Sequence, residues 1–577
     1  MKATTFAVVV SLPLSIFAQS PSPTADEKFQ QLASAYIEEE LASNPERATE
    51  LGDHRFDDIL TDYSHASRDR ILAAQKQFKI KASALDPAQL SQTNNVDFRI
   101  LKDSIDNRIF DLEELKDADW NPLVYNQSLA NSLYLLVARD FDSPEKRIPN
   151  LKGRMLAIPH VIDQARENLQ HPPRVHTETA IEQIQGAISL VREGLAPLLD
   201  RAPQMKKELL PLQEKTAKAL EAYKKWLQDD LLKRSDGDFR IGADKFKKKL
   251  RFALASDLSM EEVMRRARAD LEQTQGAIYE TALPLYKKYF PNTDEKTLVD
   301  KKKVTAAVLD KLAEQHSDDN TVVGYAQKIV GEATDFVKQH NLVTVPEVPL
   351  DVIAMPEFKR GVAIAYCDSP GPLEKNGKTF FAVAPTPKDW NKQRKDSFFR
   401  EYNNYMIRDL TVHEAMPGHY LQLAHANEFK APTMVRAIFQ SGTFIEGWAV
   451  YTEQMMAESG YGGPEVKMQQ LKMRLRAICN AILDQSIHAG NMTEKEAMDL
   501  MTKEAFQQEG EAVAKWKRAR LTSAQLSTYF VGVSEHLDLC NAAKKKLGKD
   551  FDLKKYNDQA ISFGSPPVKY VRELMGL

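Results

Sequence analysis

The sequence predicts a mainly α protein, a large helical body with a small β-sheet next to one special helix. Three observations lead there. Apolar residues recur at helical spacing along most of the 577 positions. Helix-start signals stand in front of several of these runs. Only residues 345–385 break the period, into short β-rich runs separated by Pro and Gly, and they lie just before the segment "TVHEAMPGHY", Thr411 to Tyr420.

Taken in chain order, the first residues read as an export signal. Lys2 gives a positive start, the apolar run "FAVVVSLPLSIFA" follows, and Ala18 is a suitable last residue before cleavage. The run is short, contains Pro13 and leads into polar "QSPSPTADEK", which fits a removed signal better than a membrane anchor. The expected organisation is a signal peptide over 1–18, a flexible leader over 19–27 and one domain over 28–577. No Cys lies near the cut and no later stretch is long and apolar enough to span a membrane. The expectation is therefore an exported chain, periplasmic or secreted, with no lipid anchor and no membrane span after processing.

Further on, Ala180, Ile181, Ile184, Ala187, Ile188 and Val191 keep to one helix face. Pro172 and Pro173 mark a break before that helix. Ser259 with Glu262, and Thr493 with Glu496, have the spacing of a capping box. "VPLDVIAMP", "GVAIAYCD" and "TFFAVAP" read as two or three strands of a small sheet. The "GKT" at 377–379 is not a phosphate loop, because the glycine spacing is wrong and a strand follows where a helix is needed.

Composition narrows the function. With 78 basic and 81 acidic residues and a net charge of -3, no basic footprint for nucleic acid exists. Cys367, Cys479 and Cys540 are too few for a disulfide scaffold and too scattered for a zinc–cysteine site, so they read as buried thiols.

The segment from Thr411 starts like the helix of a zinc peptidase. In H-E-x-x-H the two His are four apart on one face, with the Glu beside the bound water. Here the second His comes at His419, six positions after His413. On an unbroken helix that turns it about 120° away. Pro417 removes a backbone donor and Gly418 permits unusual geometry. A local bulge at these two residues would return His419 to the face of His413. The other reading is an ordinary turn with no metal. A third ligand is expected downstream, where "GTFIEGWAVYTEQMMAESG" offers a helix with Glu446 near its start. Glu453, two turns further on, either orients a ligand His or forms a surface salt bridge. His425 reads as a packing or surface residue. His488, at a helix C-terminus, is favourable there through the helix dipole alone.

H-E-A-x-P-G-H-x-x-Q followed by E-G-W-A-x-Y-x-E resembles the bacterial "domain of unknown function 885" family. The residues are His413, Glu414, Ala415, Pro417, Gly418, His419 and Gln422, then Glu446, Gly447, Trp448, Ala449, Tyr451 and Glu453. "DQSIHAGNMTEKEAMDLM", with Asp484 and His488, and "QLSTYFVG", with Gln525, Tyr529 and Gly532, resemble further segments of that family. Ser523 stands where the family usually has Pro, and Tyr420 where it often has His, which leaves His419 as the ligand. Such proteins look like distant relatives of gluzincins, helical zinc peptidases with two His and one Glu as ligands. The resemblance implies a metallopeptidase-like helical body with a deep channel, and a small sheet whose edge can bind a peptide.

On this reading His413, His419 and Glu446 hold one zinc ion (Zn2+) per chain and Glu414 is the general base. Tyr529 is the first choice of oxyanion donor and His488 the second, while a simple packing role for Tyr529 stays open. The expected activity is hydrolysis of short peptides. Two other readings remain: a zinc hydrolase of another amide, such as a cell-wall fragment, and an inactive peptide-binding relative. Retention of Glu414 argues against the last.

Overall fold

The structure is a computed structural model that describes residues 23–577, apart from 357–359, 361–363 and 375–376. The expected signal peptide over 1–18 lies outside the described residues.

The first helix, Ala25–Ser43, takes in the last three residues of the stretch read as leader. The cause is a capping box that the sequence reading passed over. Glu27 N–H donates to Thr24 Oγ1 (3.2 Å), and Thr24 N–H donates to Glu27 Oε2 (2.7 Å). Two orphan donors at the helix start are thereby satisfied. Thr493 and Glu496 close the same reciprocal box at the helix Glu494–Asp499. At Met260–Tyr289 only half of the box forms. Ser259 accepts from Glu262 N–H, but the Glu262 carboxylate turns to Arg265 and Arg266.

Helices Pro144–Asn168 and Arg174–Ser189 flank the break at Pro172 and Pro173. Ala180, Ile184, Ala187, Ile188 and Val191 are buried in a shared apolar cluster, and Ile181 lies at its edge. The three strands form where the helical period fades: β1 Leu350–Ala354, β2 Ala365–Asp368 and β3 Thr379–Val383. Their order is β1-β3-β2, with β3 parallel to β1 and antiparallel to β2. β3 is therefore central, and β2 is an edge strand.

The sheet shares its core with the helices of the HE and EGW segments. Phe381 and Val383 of β3 pack in one cluster with Met406, Val412, Phe444 and Trp448. This fixes the edge of β2 relative to the helix that carries His413. The three cysteines are free; Cys479 and Cys540 are buried as expected, whereas Cys367 on β2 is only half-buried. No described helix is long and apolar enough to cross a membrane.

Candidate metal centre

The HE helix, Asn404–Glu414, starts at Asn403, whose side chain accepts from the N–H groups of Tyr405 and Met406. It ends at Glu414, and a new helix, His419–Glu428, begins after the four residues 415–418. The expected bulge inside one helix is thus a break between two helices. The 415–418 connection folds back onto the end of the first helix, where Gly418 N–H donates to Val412 O (2.9 Å). A Cβ at Gly418 would fall inside the carbonyl oxygens of His413 and Val412. The fold-back therefore needs glycine for its lack of a side chain. Pro417 O accepts from Trp448 Nε1 (3.0 Å), which ties the connection to the EGW helix, Gly442–Glu458.

The break brings the His413 and His419 rings to 4.7 Å between centroids, at 86° to one another. Among the described residues, His413, His419 and Glu446 form a cluster whose ligand atoms all lie within 4.8 Å of one another. Glu446 Oε2 is 3.5 Å from His413 Nε2 and 3.5 Å from His419 Nε2. That oxygen is buried and has no hydrogen-bond partner. Atoms held about 2.0–2.2 Å from one tetrahedral zinc ion lie about 3.3–3.6 Å apart. The separations and the orphaned oxygen suit an ion shared by the three groups better than direct hydrogen bonds. Two neutral imidazoles and one carboxylate are also a donor set of hydrolytic zinc sites.

Glu453 is not at the surface. It is buried, and its Oε1 lies 2.6 Å from His413 Nδ1. That contact orients the ring and leaves Nε2 directed at Glu446. Burial would lower the His413 pKa, but the carboxylates of Glu446 and Glu453 raise it well above the ordinary value. Burial would raise the Glu446 carboxyl, but the two imidazoles hold it far below the usual carboxylate range. Asp409, one turn before His413, went unnoticed in the sequence. Its carboxyl is raised well above the ordinary value by burial and by the charge of Glu453.

Glu414 lies beside the cluster, and its Oε2 accepts from Cys367 N–H of β2 (2.9 Å). Burial raises its pKa against the opposing effect of the two His. A cavity of about 150 Å³ opens here, lined by His413, Glu414, Glu453, Tyr529 and the β2 end at Ile364 and Ala365. It is the described space next to the cluster; the deep channel implied by the resemblance is a larger feature than this cavity.

Tyr529 is carried by the helix Ser527–Leu547, which crosses the EGW helix glycine against glycine. A Cβ at Gly532 would run into Thr443 O and Gly447, and a Cβ at Gly447 would run into the Gly532 backbone. This close crossing sets Tyr529, one turn before Gly532, beside Glu446. The Tyr529 hydroxyl accepts from Arg518 Nη2 (3.3 Å) and Gln525 Nε2 (3.4 Å). Its own O–H remains free to donate. Burial, then the charge of Glu446, raises its pKa, so the phenol keeps its proton. Gly532→Ala is expected to cost about 1–3 kcal/mol through overpacking. The check is a thermal melt, and an unchanged melting temperature would show that the crossing relaxes.

His488 is placed elsewhere. It ends the long helix Gly463–His488, eight residues beyond the cavity-lining Asn480, about 12 Å along the axis. Its Nε2 lies 2.9 Å from Ala519 O and 2.8 Å from Thr522 O, and its ring stacks on Phe246. Asp484 of the same segment accepts from Ala524 N–H and from Ser527 N–H and Oγ. Both residues brace the turn that precedes Tyr529, so as an oxyanion donor His488 is replaced by a positioning part. His425 is also away from the cluster, with its Nε2 2.9 Å from Thr344 O.

A family model described as "Bacterial protein of unknown function (DUF885)" matches residues 45–575, nearly the whole chain. The chain belongs to that family. A solved structure of a Shewanella oneidensis protein of unknown function, provisionally described as a lipoprotein, is 34% identical. It superposes with a TM-score of 0.80 over 95% of this chain and 100% of that one. A Colwellia psychrerythraea protein, also provisionally described as a lipoprotein, shares the fold at 17% identity, with a TM-score of 0.79 over 96% and 99% of the two chains. No curated protein matches the chain.

Proposed function

We propose that this protein is an exported zinc-dependent peptidase that hydrolyses short peptides. The observation that supports it best is the pair of 3.5 Å separations between one orphaned carboxylate oxygen of Glu446 and the imidazoles of His413 and His419. When bound, zinc would supply a Lewis acid for the scissile carbonyl and lower the pKa of a water to about 7. His413, His419 and Glu446 would hold the ion, and Glu453 fixes the ring of His413. Glu414 takes a proton from the attacking water and returns it to the leaving amine. Tyr529, with its O–H free, donates to the oxygen on which negative charge develops.

Export through a signal over 1–18, to the periplasm or the exterior, is part of the same proposal. The apolar start of the sequence and the lipoprotein descriptions of the relatives support it. Zinc per chain, measured by mass spectrometry on protein supplied with zinc, is expected near one, and cleavage of a peptide panel is expected to stop on chelation. Absence of bound metal would overturn the proposal. Cleavage of cell-wall fragments without cleavage of plain peptides would keep the chemistry and change the substrate to another amide.

A further inference from the structure

The helix Glu509–Leu521 buries Ala512, Lys515, Trp516 and Ala519 on one face. A lysine in that stripe is unexpected. Lys515 is only 6% exposed and borders the cavity beside the metal cluster. Among the described residues no carboxylate pairs with its ammonium and no acceptor hydrogen-bonds it. Burial, then the charges of the Arg476 and Arg518 guanidiniums, holds its pKa well below the ordinary value. Arg476 is neutralised by Glu511. Among the described residues, Arg518 meets only the neutral Gln525 and Tyr529. Lys515 and Arg518 thus line one small cavity without an ion pair of their own, because its carboxylates are engaged elsewhere: Glu414 with Cys367 N–H, Glu453 with His413 and Glu511 with Arg476. A buried ammonium without a partner is costly and is kept where an anion completes it.

We infer that this end of the cavity is a subsite for a carboxylate of the substrate, held by Lys515 and Arg518. The inference rests on the peptidase reading of the same site. A peptide always carries a carboxylate at its C-terminus, and an acidic side chain is the other source. The cavity of about 150 Å³ has room for on the order of ten waters, which suits a terminal residue better than a long chain. A carboxylate held here sets the scissile bond close to the C-terminal end of the peptide. Arg518 also holds the Tyr529 hydroxyl, so the subsite adjoins the proposed oxyanion donor.

The test measures binding rather than turnover. Full-length Glu414→Gln protein supplied with zinc is titrated by calorimetry with a tripeptide acid, its C-terminal amide, and an amide whose last residue is Glu. The acid is expected to bind at least tenfold tighter than the plain amide. Lys515→Met is expected to bring that ratio close to one, with an equal or higher melting temperature. Arg518→Gln, an exposed position that serves as the second variant should Lys515→Met fold poorly, is expected to lower the ratio in the same direction. Tight binding of the Glu amide would assign the carboxylate to a side chain. Equal binding of acid and amide, a ratio that survives both substitutions, or no binding of any peptide overturns the subsite. Hydrolysis by the unsubstituted protein is scored separately. An active enzyme indifferent to amidation loses the subsite and keeps the peptidase, and an inactive protein selective for the acid through Lys515 does the reverse.

Discussion

Glu414→Gln is expected to retain about one zinc per chain and to lose about 10²–10⁴-fold in the rate of peptide hydrolysis. The substitution keeps the shape of the side chain and an oxygen that can accept Cys367 N–H, the one hydrogen bond Glu414 Oε2 makes. It removes only the capacity to take a proton. Glu414 lies outside the His413, His419 and Glu446 cluster, so metal content tests whether it is a ligand, and rate tests whether it is a base. Burial already disfavours its charged form, so neutralising it carries little cost in stability, and the melting temperature is expected to stay level or rise. Rate and zinc are measured on the same preparation. Hydrolysis at the unsubstituted rate would remove Glu414 from the mechanism. Loss of zinc together with hydrolysis would move it into the ligand set.

The parts of the fold that follow from periodicity were legible in the sequence. The stripe at 180–191, the double-proline break and the three short strands appear where expected, because each depends on residues close in sequence. The cluster was legible as well, since His413, His419 and Glu446 sit in two short motifs. The device that joins them was not. Proline followed by glycine predicts a distortion, but a bulge and a full break have the same local composition. Only the approach of Gly418 to the His413 and Val412 carbonyls decides between them. Asp484 and His488 show a different limit. A motif marks residues that matter without saying whether they meet substrate or hold a turn, and here both brace the turn before Tyr529. Lys515 was invisible for a third reason. Its segment "EAVAKWKRAR" is rich in charge and reads as a solvated face, and burial comes from the long helix Gly463–His488 packed against it.

Gly418→Ala is expected to empty the site of zinc without removing a ligand. The added methyl would lie inside two carbonyl oxygens of the HE helix, where backbone has little room to yield. The 415–418 connection would have to lift off, against the anchor from Trp448 to Pro417 O and the hydrogen bond from Gly418 to Val412 O. His419 is the first residue of the helix that follows, so it moves with the connection. A zinc site tolerates about 0.2 Å in its bond lengths, far less than such a shift. His419→Ala removes the ligand itself and is expected to leave little zinc, whereas His425→Ala, away from the cluster, should keep it. Gly418→Ala should match the first of these, with a stability loss of about 1–3 kcal/mol from overpacking. Zinc content by mass spectrometry, beside a melt that confirms folding, separates the cases. Full zinc in His419→Ala would mean that the ligand set must be redrawn. Full zinc in Gly418→Ala, with His419→Ala empty, would mean that the His419 side chain can follow the ion after the backbone has moved. The glycine would then serve packing alone, and the six-residue spacing of the two His would be tolerated by flexibility rather than set by the fold-back.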